Sequence, residues 1–71
     1  MHNIEKSFFR RGEYIGYGAG MWRIVRGSAQ WFAYDSSHNR SMLRATTLRK
    51  MSALLEMQTA PFESTILEVT Q

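Results

Sequence analysis

At 71 residues and without a cysteine, the chain makes one small domain that no disulfide or thiolate metal site can staple. Its 44% hydrophobic and 13% aromatic content argues for a folded domain rather than a disordered tail, and no apolar run approaches the ~20 residues of a membrane span or the ~7–15 of a secretory signal. The net charge of +3 is uneven: residues 1–50 hold all nine Lys/Arg against Glu5, Glu13 and Asp35, giving +6, whereas residues 51–71 hold Glu56, Glu63 and Glu68 alone, giving −3.

In chain order, residues 1–11 read as a mobile N-terminal segment tethered by Phe8 and Phe9, within a single domain spanning 1–71. Glu13–Gly18 (EYIGYG) suits a strand with Tyr14 and Ile15 on opposite sides. The glycines Gly16, Gly18 and Gly20 resemble a phosphate-cradling loop only superficially. Met21 stands where a dinucleotide fingerprint needs its third glycine, and a strand pattern follows rather than a helix. A bend or a close backbone approach beside Trp22 is the better use of them.

The clearest local signal is a hairpin, Met21–Tyr34, whose arms MWRIVR and AQWFAY flank Gly27-Ser28. A glycine-first two-residue turn pairs Ile24 with Trp31, Arg23 with Phe32 and Trp22 with Ala33. Alternation then gives one face Trp22, Ile24, Trp31, Ala33 and Arg26, and the other Met21, Arg23, Val25, Gln30, Phe32 and Tyr34. The tryptophan face is the better core. Asp35–Arg40 reads as a polar turn, and Ser41–Ala45 as a third or fourth strand.

The pattern turns helical after Thr46-Thr47, either of which suits an N-cap. Leu48, Met51, Leu54, Leu55 and Gln58 form one stripe. The expected fold is therefore α+β: a small antiparallel sheet of three or four strands packed on one C-terminal helix, about Thr47–Gln58. Residues 60–71 read as a loosely packed acidic tail or a short helix after Pro61.

No catalytic or metal constellation emerges, and no cofactor loop. Asp35–His38 (DSSH) holds triad residue types side by side, whereas triad members come from separate elements. His2 and His38 have no carboxylate at ligand spacing. The expectation is a non-enzymatic protein without cofactor, metal or small-molecule substrate, located in the cytoplasm.

The remaining constellation is basic residues interleaved with aromatics: Arg10 and Arg11 after Phe8-Phe9, Arg23 with Phe32 and Tyr34 on the uncovered sheet face, Arg40 on the loop, and Arg44, Arg49 and Lys50 near the helix start. Rings that stack bases beside guanidinium groups that meet phosphates suit nucleic-acid binding by a small regulator. The alternative is a protein-binding inhibitor or adaptor, of the size that phages and mobile elements carry. It would dock the same aromatic face on a protein complex or on a second copy of the chain, since aromatics and arginine also anchor protein interfaces.

Overall fold

A computed structural model describes residues 2–35 and 40–59. Its five strands form an antiparallel meander in sheet order β1-β2-β3-β4-β5, followed by one helix. The strands are β1 (Ile4–Lys6), β2 (Tyr14–Tyr17), β3 (Met21–Arg26), β4 (Trp31–Asp35) and β5 (Leu43–Ala45), and the helix is α1 (Leu48–Glu56). The expected sheet and single helix are both present, with one strand more than the sequence suggested.

The added strand comes from the N-terminal segment. Asn3 is buried against α1: its Nδ2 donates to the Ser52 carbonyl at 2.9 Å, and its Oδ1 accepts from the Ser52 hydroxyl. The Asn3 carbonyl accepts from the Tyr17 backbone N–H at 2.8 Å. A buried amide with both ends satisfied holds β1 in the sheet although the strand itself has only three residues. Phe8 and Phe9 are not the tethers; they stand 86% and 84% exposed on the β1–β2 loop.

The β3–β4 connection is four residues, not two. Ile24 pairs with Ala33, Val25 with Phe32 and Arg26 with Trp31, and the Gly27 N–H donates to the Gln30 carbonyl at 2.7 Å. A two-residue slip preserves the faces, because side chains alternate with period two. What it changes is position along the strand. Small Ala33 now sits opposite Ile24 under the helix, and Trp31 moves from the middle of the face to its rim. There the Arg26 guanidinium lies 5.1 Å from its ring centroid. Gln30 leaves the ladder altogether.

The core is Trp22, Ile24, Ala33, Ala45, Met51 and Leu55, with Ile4, Tyr14, Trp31, Leu43, Leu48 and Leu54 half-buried around it. Leu48, Met51, Leu54 and Leu55 are the helical stripe read from the sequence, so α1 lies on the tryptophan face as expected. Thr47 is the N-cap; its Oγ1 accepts from the Lys50 N–H at 3.1 Å. Trp22 is fully buried and donates its indole N–H to the Gly18 carbonyl at 2.9 Å.

The glycine stretch shapes the sheet. Ala19 and Gly20 take positive φ, 52° and 122°, at the β2–β3 turn. A Cβ on Gly18 would stand 2.2 Å from the Leu55 carbonyl oxygen, so the helix approaches the turn closely only because that side chain is missing. Among the described residues no helix is long and apolar enough to cross a membrane. Residues 36–39 of the turn read at Asp35–Arg40, and the tail at 60–71, lie outside the described residues.

Candidate nucleic-acid interface

The sheet face opposite α1 carries Arg23, Phe32 and Tyr34, as expected. The observed register sets Arg23 across from Tyr34, and Phe32 across from Arg44. Arg23 is not available as a free cation, however. Its Nε and Nη2 donate to the two Glu13 carboxylate oxygens at 2.9 and 3.0 Å. That fork holds the Glu13 carboxyl below its usual range and raises the Arg23 guanidinium further. The Tyr17 hydroxyl donates to Glu5 at 3.1 Å, and this bond raises the Tyr17 pKa. Arg23 on this side is thus neutralised by Glu13, and Glu5 is engaged by the Tyr17 hydroxyl. The face is close to neutral, with Tyr17, Met21 and Tyr34 nearly half exposed.

Arg10 and Arg11 part company. The β1–β2 loop is shaped by the Ser7 hydroxyl, which accepts from the Phe9 and Arg10 N–H groups at 3.1 Å. Arg10 lies 4.0 Å from Glu13, on the side of Arg23. Arg11 lines a cleft of about 580 Å³ together with Lys6, Tyr14 and Trp31, residues of the helix-side face. Phe9 borders this cleft and a smaller one of about 140 Å³ lined by Arg10, Ile15 and Arg23.

Arg40 turns inward. Its Nε pairs with Asp35, whose side chain is fully buried, its Nη1 donates to the Thr59 carbonyl at 2.8 Å and its Nη2 to the Ala19 carbonyl at 2.9 Å. Its guanidinium carbon lies 4.5 Å from the Trp22 ring centroid. All three guanidinium nitrogens are engaged, and they join the end of β4 to the β2–β3 turn and to the segment after α1. The place of this side chain is structural.

Arg44, Arg49 and Lys50 are exposed around the start of α1, whose first turn holds no acidic residue to offset them. Arg44 and Lys50 line a third cleft, of about 540 Å³, with Gln30, Ala45 and Leu54. Ala45 pairs with Trp31, and Trp31 with Arg26, so one row of the sheet joins this cleft to the one lined by Arg11.

Sequence reasoning missed Lys6, Tyr14, Arg26 and Trp31. Their alternation puts them on the helix side, and that side looked covered. α1 reaches β5, β4 and β2 across the sheet, however, and so covers only one stretch of each strand, whereas Arg26 and Trp31 stand at the last residue of β3 and the first of β4. The uncovered end keeps Tyr14 and Trp31 half exposed in an edge-to-face contact, 5.5 Å between centroids at 79°.

Among the described residues every carboxylate has a partner: Glu5 with Tyr17, Glu13 with Arg23, Asp35 with Arg40, and Glu56 with His2 at 3.2 Å. Six cations have none: Lys6, Arg11, Arg26, Arg44, Arg49 and Lys50. Three of the six border the Trp31 end: Lys6 and Arg11 line its cleft, and Arg26 packs on its ring. No group of three His, Cys, Asp or Glu placed to hold a metal occurs among the described residues. Compared with protein-family models, curated proteins and solved structures, the chain matches none.

Proposed function

We propose that this protein binds nucleic acid without catalysing a reaction, acting as a small regulatory or accessory factor. One observation carries the reading: among the described residues six cations stand without carboxylate partners while every carboxylate is engaged, so their positive charge is not offset by a described acid. Such charge meets phosphates and releases their counterions. Exposed rings lie among these cations, which adds stacking to the electrostatic attraction. The lack of cysteine supports a reducing, cytoplasmic setting.

The test is retention of a labelled oligonucleotide measured against salt. Six phosphate contacts would give a log–log slope of up to about 5 on duplex DNA and about 4 on a single strand. Arg44→Ala and Lys50→Ala, both exposed, should each lower it by about 0.9 on duplex or 0.7 on a single strand. Absence of retention of either form at low salt overturns the reading.

A second reading has its own support, the near-neutral open face with exposed Tyr17, Met21 and Tyr34. Balanced charge with aromatic anchors suits a protein partner or a second copy better than it suits phosphate. An inhibitor or adaptor of this kind would bind its partner in high salt and after nuclease treatment, and would lose it on Tyr34→Ala without unfolding.

A further inference from the structure

We infer that the cleft between the β1–β2 loop and the Tyr14–Trp31 wall accepts one unpaired base of a single strand, with its flanking phosphates held by Lys6, Arg11 and Arg26. The inference rests on the nucleic-acid reading and names the substrate class for it. The volume, about 580 Å³, falls in the range of small-molecule pockets and accommodates a nucleotide.

The lining has the two components that such a ligand needs. Tyr14 and Trp31 form a half-buried aromatic wall, backed on one side by the core. Phe8 and Phe9 face it from the loop, more than four-fifths exposed. Such exposure of two adjacent phenylalanines costs hydration free energy and is relieved when a flat ring enters between loop and wall. A base supplies that ring, and each stacked base contributes enough to survive any sequence.

Charge excludes an ordinary apolar guest. Lys6 and Arg11 line the cleft and Arg26 stacks on Trp31, all without carboxylate partners among the described residues. Glu13, the acid at the rim, is already held by Arg23. The Trp31 indole N–H and the Tyr14 hydroxyl also lack hydrogen-bond partners among the described residues, which leaves donors for a base edge or a phosphate. A duplex hides its base faces in the stack, so only an unpaired base can use this wall.

The experiment follows Trp31 fluorescence and anisotropy while an oligothymidylate of about eight nucleotides, or a blunt duplex, is added at low salt. Trp22 is fully buried, so acrylamide reaches Trp31 selectively. The single strand should protect Trp31 from acrylamide. Phe8→Ala/Phe9→Ala, which removes rings that support no core, should weaken it about tenfold and leave duplex binding unchanged. Single-strand binding that neither protects Trp31 nor responds to the double variant overturns the cleft and leaves the nucleic-acid reading intact. Equal loss of both ligands in the double variant overturns the single-strand assignment. Failure of both ligands to bind the parent protein overturns both readings together.

Discussion

Gly18→Ala separates a glycine that shapes the sheet from a glycine that cradles a ligand. The added Cβ would meet the Leu55 carbonyl oxygen at 2.2 Å, its carbon at 2.8 Å and its Cα at 3.0 Å. These are backbone atoms of a helix, so no rotamer change relieves them. The last turn of α1 must retreat by about 1 Å to restore van der Waals distance. It carries Leu55, which has no exposed surface, and it lies beside the Trp22 N–H bond to the Gly18 carbonyl. Overpacking of this sort costs about 1–3 kcal/mol, and a backbone obstacle belongs at the upper end. For a domain of this size, with ~3–5 kcal/mol of stability, that removes most of it and lowers Tm by roughly 10–20 °C. Thermal melts followed by near-ultraviolet circular dichroism report on Trp22 directly. Gly12→Ala is the control: nothing lies within 4 Å of its Cβ, and its φ of +80° adds only about 1 kcal/mol of strain. Should Gly18→Ala melt no lower than Gly12→Ala, the close approach is not what fixes this glycine. Native melting with lost oligonucleotide binding would instead restore a phosphate role to the stretch.

Asp35→Ala strands the Arg40 guanidinium, only 15% exposed, and should cost about 3–5 kcal/mol; a urea midpoint close to that of the parent would refute the clamp. Glu13 is depressed by its bond to Arg23, so its contribution to stability is present above the ordinary glutamate range and disappears as pH falls through the lower folded value. Glu13→Gln should flatten that acid limb in pH-dependent melts, and by freeing Arg23 should raise the duplex salt slope by about 0.9. Thr47→Ala removes the acceptor for the Lys50 N–H and should cost about 1 kcal/mol, or 4–8 °C in Tm.

Local and periodic features were legible in the sequence. Alternation assigned Trp22, Ile24 and Ala33 to the core face and Arg23, Phe32 and Tyr34 to the other, and this survived a wrong loop length because a slip of two residues leaves parity untouched. The Leu48–Met51–Leu54–Leu55 stripe and the Thr47 cap were equally readable, since each depends on neighbours within one or two turns. Tertiary structure alone decided which charges are cancelled. Arg23 and Arg40 look alike on paper, yet one is forked onto Glu13 across β2 and β3 and the other threads between Asp35, Ala19 and Thr59. The same holds for β1, kept in the sheet by an amide 49 positions from its partner. It holds too for the Trp31 end, left open because α1 crosses the strands and covers only one stretch of their length. Periodicity tells a side chain which way to point, but long-range packing chooses what it meets, and that choice moved the basic-aromatic cluster from the open face to the rim.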